Sequence, residues 1–326
     1  MKGGDDYVRG RSLGEGTWGI VYEATRKSDG LRVAIKRMKG RDAHYGIDFT
    51  AIREVKVLKE IKGPNVVDLL DVYISGGIVH LVMEYCLHNL EDIIKDKSIH
   101  LRTPHHKSYL QMILRGIDIC HSAYILHRDI KPGNILIRQT GEVCLTDFGL
   151  AKEHGSPVNL TPTVVTLWYR APELLFGAKR YGPGVDIWAI GCVFAEIILR
   201  TPLFPAETDL EQLAKIFNVI GTPTKENWPN ASTLPNYVEF ESREPVSLAP
   251  LFGFEGNKNA KQHLLDLLLR MLTLDPNKRI TAKEALQHPY FQTSPEPCDA
   301  SLLPLPKATM EPPNKKMKAN GNGEDI

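Results

Sequence analysis

Cysteine is scarce in this chain, and neither sign of charge is in surplus. The five cysteines, at positions 86, 120, 144, 192 and 298 of 326, are odd in number and lack metal-ligand spacing. That excludes a disulfide framework, gives no sign of zinc, and points to reduced thiols in the cytosol or nucleus. Forty basic residues face thirty-nine acidic ones, a formal charge of +1. No global field therefore recruits nucleic acid or an anionic membrane, and any such binding would be local. Long apolar runs are missing too. The most apolar stretch, 187–199, contains Glu196 and is too short to span a bilayer, and residues 1–11 are polar without a signal core, so neither secretion nor membrane insertion is expected. What remains is 42% hydrophobic and 24% charged, enough for a large core in one or two compact domains.

The most informative stretch is His127-Arg128-Asp129-Ile130-Lys131-Pro132-Gly133-Asn134, followed thirteen residues after Asn134 by Asp147-Phe148-Gly149. Strand-like segments at 135–137 and 143–146, with a turn at Gly141, would fold the two acidic sites onto one face. Phosphoryl transfer needs an acceptor-hydroxyl orienter, metal ligands and a cation over the phosphates, because its catalysis is mostly positioning and charge neutralisation. Asp129 suits the first role, Asn134 and Asp147 the second, Lys131 the third. A lone Asp-x-x-x-x-Asn arises by chance; the joint occurrence carries the reading.

Upstream, Leu13-Gly14-Glu15-Gly16-Thr17-Trp18-Gly19 has the G-x-G-x-x-G spacing. Alone it fits a dinucleotide-binding turn or a flexible hairpin. The first needs a helix next, yet 20–24 and 31–38 around Asp29-Gly30 read as strand, turn, strand, which favours a hairpin lid over nucleotide phosphates with Val21 against the base. Val33-Ala34-Ile35-Lys36 ends a strand in a lysine. Residues 48–61 read as a helix with an apolar stripe of Ile52, Val55, Leu58 and Ile61, stopped by Gly63-Pro64. On it Glu54 is either the partner of Lys36 or a surface glutamate beside Lys56. A helix over 104–125, with Leu110, Ile113, Leu114 and Ile117 inward, delivers the chain to His127; His105 and His106 read as solvated first-turn residues.

In this order the motifs resemble those of the eukaryotic protein kinases. The resemblance covers residues 13–291 and implies an α+β, bilobal fold: a small β-rich N-lobe (about 7–85) with one regulatory helix, and a larger, mainly helical C-lobe (about 86–291). Residues 1–6 and the proline-rich tail 292–326, with its basic patch Lys315-Lys316-Met317-Lys318, are expected to be disordered. The implied cofactors are ATP and Mg2+. ATP would be bound by Leu13, Gly14, Glu15, Gly16, Thr17, Trp18, Gly19, Val21, Ala34, Lys36, Glu54, Met83, Glu84, Cys86 and Asn89, with the backbones of Glu84 and Cys86 at the adenine. Met83 would limit the pocket or simply pack in the core. Asn134 and Asp147 would hold the metal, and Asp129, Lys131, Asn134 and Thr166 would be catalytic, in the serine/threonine form of the motif.

Residues 148–172 are similar to an activation segment, with Thr161 as the phosphosite, Ser156 as a second, and Arg53, Arg128 and Lys152 as the phosphate pocket; the bland reading of Thr161 is a turn residue before Pro162. Thr50-Ala51-Ile52-Arg53-Glu54 resembles the cyclin-contacting helix of the cyclin-dependent kinases, and residues 164–173 resemble their substrate platform. Phe49-Thr50-Ala51, Gly155-Ser156-Pro157, Leu174-Leu175-Phe176-Gly177 and Trp228-Pro229 are similar to the CDK-activating members, as is Trp18, where cell-cycle members carry an inhibitory tyrosine. This implies a cyclin of the H type, which would press Glu54 toward Lys36, together with a RING-finger assembly factor and TFIIH. It also implies protein substrates (other cyclin-dependent kinases and the RNA polymerase II tail), a nuclear and partly cytoplasmic location, and no direct contact with nucleic acid or membrane. Asn89 and Gly133 depart from the pattern, Asn89 replacing an acidic residue at the pocket lip.

Overall fold

The structure is a computed structural model that describes residues 4–16, 19–39, 49–154, 166–252 and 258–306. The N-terminal half is built on an antiparallel sheet of strands β1 (Tyr7–Glu15), β2 (Gly19–Arg26), β3 (Arg32–Met38), β4 (Leu69–Ser75) and β5 (Ile78–Glu84), ordered β1-β2-β3-β5-β4. Helix α1 (Phe49–Glu60) packs on one face. The period of two along β3 decides everything nearby. Val33 and Ile35 join Tyr7, Ala24 and Val82 in a small outer core, while Ala34 and Lys36 face the opposite side and line a cavity.

The buried face of α1 is Ala51, Glu54, Val57 and Leu58, continued by Ile61. Ile52, expected in the stripe, is 50% exposed. Leu58 and Ile61 are buried and Val55 packs against the core as expected, so Ile52 alone leaves the stripe; Ala51 and Glu54 are buried instead, Glu54 because a lysine meets it.

The C-terminal half starts at β6 (His88–Asn89) and α2 (Leu90–Lys95). It continues through α3 (Thr103–Ser122), β7 (Ile125–Leu126), β8 (Ile135–Ile137), β9 (Val143–Leu145), β10 (Lys152–Glu153), α4 (Pro172–Leu175), α5 (Gly184–Leu199), α6 (Asp209–Ile220), α7 (Lys258–Met271) and α8 (Ala282–Leu286). Helix α5 is apolar nearly all round and lies inside the lobe against α3 and α7. In α3, Leu110, Ile113, Leu114 and Ile117 are buried as the spacing predicts. A Cβ on Gly116 would stand 2.5 Å from the Asn65 carbonyl oxygen, so only glycine lets α3 approach the loop before β4 this closely. The two first-turn histidines are not merely solvated. His105 Nδ1 accepts the Arg102 N–H at 3.1 Å, closing the helix start. His106 is buried, and burial, with His105 and Arg200 nearby, takes its pKa down to about 3.

The expected break at residue 292 is also corrected, because 292–306 fold back onto α3. Ser108 Oγ donates to the Cys298 carbonyl at 2.6 Å, and Lys107 Nζ donates to the Thr293 carbonyl at 2.5 Å while lying 4.8 Å from the Tyr290 ring. Leu303 is buried. Gly141, at φ 84°, turns tightly under Ala300, whose carbonyl oxygen a Cβ would strike. Prolines in the segment suggested disorder, but two buried donors on α3 and a few apolar residues suffice to anchor it. The basic patch 315–318 and residues 1–3 lie outside the described residues. Among the described residues no helix is long and apolar enough to cross a membrane.

Candidate active site

The loop from His127 to Asn134 is held from behind. Asp186, buried near the start of α5, accepts the backbone N–H groups of His127 (3.0 Å) and Arg128 (2.8 Å) and pairs with His121 Nε2 (2.9 Å). Burial alone would raise this carboxyl; His121 and those N–H donors hold it below its ordinary value instead. His127 bonds the Thr146 carbonyl through Nε2 (2.9 Å), and its Nδ1 accepts the Asp129 N–H (3.2 Å). Among the described residues only four non-glycines have positive φ, and two of them are Arg128 (66°), inside this loop, and Asp147 (63°), the carboxylate across the cavity. Backbone strain is therefore concentrated where the charged side chains must be aimed.

Asp129 organises the front of the site. Its Oδ2 accepts from Lys131 Nζ and from Asn134 Nδ2, each at 2.8 Å, and Asn134 Nδ2 also donates to the Asp129 carbonyl. Thr166 Oγ1 approaches Asp129 Oδ1 at 3.4 Å. With its amide nitrogen committed to Asp129, Asn134 keeps its oxygen as the ligand-capable end. Across the cavity Lys36 Nζ donates to both Glu54 oxygens (2.7 and 2.9 Å) and to Asp147 Oδ1 (2.8 Å). Burial works against the charge on Lys36, but the two carboxylates outweigh it and lift its pKa; the same ammonium draws Asp147 down against burial. For Glu54 burial dominates and its carboxyl is raised despite the lysine. One cation thus serves two carboxylates, and the more open of them, Asp147 (side chain 27% exposed), faces the cavity.

That cavity, about 420 Å³, lies between the sheet and the β8–β9 hairpin. Of the expected nucleotide residues it brings together Leu13, Gly14, Glu15, Gly16, Gly19, Val21, Ala34, Lys36, Met83, Glu84, Cys86 and Asn89, with Asn134 and Asp147 at its inner end. Glu54 stands behind Lys36. Met83 both lines the cavity and belongs to the core, so the two readings of it coexist. The Glu84 N–H is taken by the Asp68 carbonyl (3.1 Å), whereas among the described residues no backbone hydrogen bond engages Cys86. Asn89 does not offer its side-chain oxygen to the cavity: it caps α2 by accepting the Asp92 N–H (3.0 Å), while Asp92 returns a carboxylate to the Asn89 N–H.

Several contributors escaped the sequence reading, among them Asp92, Leu136, Val67, Thr146 and Asp186. Asp92 places a carboxylate at the lip where Asn89 had replaced one. Leu136, the half-buried middle residue of β8, floors the cavity; the in-out alternation of 135–137 would have found it. Asp186 carried no local signal. A larger cavity of about 740 Å³, bounded by His154 and residues 179–184, includes none of the nucleotide-site residues.

Beside β10 the guanidiniums of Arg53 and Arg128 both bear on Lys152, which burial and these two charges hold below its usual pKa. Arg128 is fixed by bonds to the Leu150 carbonyl (2.6 Å) and the Tyr181 hydroxyl (2.9 Å). Three cations brought together suit a phosphate, with Glu60 and Glu153 lining the same cleft as Arg53 and Lys152 and Glu153 taken up by Lys56. Thr161, Ser156, Val164 and Val165, as well as Thr17 and Trp18, lie outside the described residues. Downstream, Arg279 grips Glu173 through two bonds, 2.7 and 2.9 Å, both side chains buried.

A carboxylate aimed at an incoming hydroxyl, and a lysine shared by two carboxylates under a glycine-rich hairpin, form a phosphotransfer centre of the protein kinase type. Residues 7–291 match the protein kinase domain. The chain is 46% identical to Cyclin-dependent kinase D-1 of Oryza sativa over 96% of its length and 73% of that protein's. It is 45% identical to Cyclin-dependent kinase 7 of Xenopus laevis over 94% and 87%. A solved structure of the CAK complex from Chaetomium thermophilum bound to ATP-gamma-S superposes with a TM-score of 0.84 at 43% identity, over 91% of this chain and 94% of that one. The chain belongs to the protein kinase family, as a serine/threonine kinase of the cyclin-dependent kinase 7 group.

Proposed function

We propose that this chain is the catalytic subunit of a CDK-activating kinase, which transfers the γ-phosphate of ATP to serine or threonine of other cyclin-dependent kinases and of the RNA polymerase II tail. The carrying observation is the Asp129–Lys131–Asn134–Thr166 cluster facing the Lys36–Glu54–Asp147 cluster across one cavity. Asp129 receives the acceptor hydroxyl, Lys131 stands beside it as the cation for the transferred group, and Lys36 positions the nucleotide phosphates. The unpaired backbone of Cys86 suits the adenine edge.

The donor set fits Mg2+: the excess carboxylate at Asp147 and the amide oxygen of Asn134 are hard oxygen ligands at the inner end of the cavity. The ion would neutralise charge developing on the phosphoryl oxygens.

A cyclin of the H type is the proposed partner. Ile52, half exposed on α1, offers it an apolar contact. Because Lys36 and Glu54 are already bonded in the single chain, the cyclin's part is to hold α1 in place rather than to drive it there. A phosphate on Thr161 would settle among Arg53, Arg128 and Lys152. TFIIH, a RING-finger assembly factor and a nuclear location complete the proposed reading.

The test incubates the cyclin-bound chain, Mg2+ and labelled ATP with an inactive cell-cycle kinase and, separately, with a polymerase-tail peptide. Both should be labelled. Labelling of the peptide alone would make the chain a transcriptional or cell-cycle relative without activating function.

A further inference from the structure

Two cysteines that no motif links meet behind the nucleotide cavity. Cys86 lies in the hinge between β5 and β6, half buried and lining the cavity. Cys144 is the central residue of β9, fully buried, and is paired in register with Leu136, the cavity floor. Their sulfurs and a carboxylate oxygen of Glu84 all lie within 4.8 Å of one another.

A metal is the first thought for such a trio, but Glu84 is spoken for. Arg138 holds both its oxygens through Nε and Nη2 at 2.7 Å each, and the Asp68 N–H adds a third bond at 2.9 Å. A fixed guanidinium beside the thiols also repels a second cation. A disulfide needs only the two sulfurs, and the neighbouring Cys86 side chain together with burial, which hold the Cys144 thiol protonated, leave Cys86 as the sulfur that reacts first.

We propose that Cys86 and Cys144 are a reversible redox pair, closed to a disulfide by hydrogen peroxide and reopened by dithiols, that ties the hinge to β9 and weakens nucleotide binding. Cys86, the sulfur an oxidant reaches, takes oxygen from peroxide to give a sulfenic acid and water. The Cys144 sulfur then attacks the Cys86 sulfur; the S–S bond forms, the S–O bond breaks, and hydroxide leaves with the Cys144 proton as a second water. Peroxide is reduced and the two thiols together lose two electrons. Closing from within 4.8 Å to a bond of about 2.05 Å requires side-chain rotation and a small hinge shift. Cys86 sits outside any strand ladder and can give, whereas β9 cannot. The shift therefore falls on the hinge backbone and on the gap between Cys86 and Leu136 that a planar base would enter.

The experiment treats the full chain with peroxide, blocks free thiols with iodoacetamide without reduction, and maps peptides by mass spectrometry while measuring ATP affinity. The expected result is a Cys86–Cys144 linked peptide pair, two hydrogens lighter than its parts, that dithiothreitol abolishes. Alongside it, a several-fold rise in the ATP Kd should revert with the same reductant. Cys144→Ser and Cys144→Ala should bind ATP normally when untreated and lose the peroxide response. Recovery of Cys86 as sulfenic or sulfinic acid with Cys144 still alkylatable, or an undiminished response in both Cys144 variants, overturns the proposal. Should those variants fail to fold, the linked peptide in the unsubstituted chain decides. Only the affinity arm rests on the nucleotide reading of the cavity, so a linkage without an affinity change would count against that arm and leave the kinase assignment to its own test.

Discussion

Two buried ion clusters, in different halves of the molecule, are built on opposite principles. In the first, Lys36 serves both Glu54 and Asp147. In the second, Arg279 faces Glu173 alone, and its remaining donors go to the carbonyls of Thr273 (3.0 Å), Gly184 (2.7 Å) and Leu274 (3.3 Å), with Trp188 beneath its guanidinium. The Arg279 cluster is balanced and closed. The Lys36 cluster carries one carboxylate too many, and that carboxylate opens on the cavity. Burial of a balanced, fully bonded pair is a structural device, whereas an uncompensated charge at a cavity wall awaits a ligand.

The largest effect that would test this contrast is on catalysis. Asp147→Asn should lower phosphoryl transfer by about a thousandfold or more, the scale of losing a principal electrostatic contact, while its melting temperature stays level or rises because the surplus charge is gone. Near-normal turnover with magnesium as the sole divalent ion would put the surplus elsewhere. Arg279→Leu should do the reverse. Stranding Glu173 in the core costs about 3–5 kcal/mol in denaturant unfolding, with the specific activity of the folded fraction much less affected. Loss of activity at unchanged stability would break the comparison.

Asp186 sharpens the contrast as a third case, a single carboxylate satisfied by N–H groups and His121. Its carboxyl is depressed in the folded state. The stability it contributes is therefore present above its unfolded value, near 3.8, and disappears as pH falls through the lower folded value. Asp186→Asn should cost about 1–3 kcal/mol at neutral pH and flatten the decline in stability below about pH 4, followed by urea titrations across that range. An unchanged acid slope would assign it to other carboxylates. The smallest effect is a control with no charge: Ser108→Ala removes the bond to the Cys298 carbonyl, costs about 1 kcal/mol, and should speed proteolysis within 292–306 without touching kinase activity. Unaltered cleavage would mean that this hydroxyl does not anchor the segment.

How much of this was legible in the sequence followed distance along the chain. Asp129, Lys131 and Asn134 lie within six residues, and a tight loop can bring them together with no help beyond its own spacing. The glycine hairpin was readable for the same reason. Asp186 meets Arg128 across 58 residues, and Glu84 meets Arg138 across 54; neither spacing carries a signal. The errors have a common cause. Residue type alone misplaces Ile52, His106 and the tail beyond 291, because the fold reverses each preference: Glu54 takes a buried place on α1, burial covers His106, and Lys107 with Ser108 holds the proline-rich segment.

By itself the sequence determined the order of the strands and helices, the loop chemistry and the class of reaction, because periodicity and local spacing are properties of a few consecutive residues. Only the tertiary structure decided which charges are balanced and which are left over, which backbone groups stay unpaired at the cavity, and which two of five cysteines meet. Those outcomes depend on burial and on contacts across fifty residues or more, where a side chain's worth is set by what the fold brings against it.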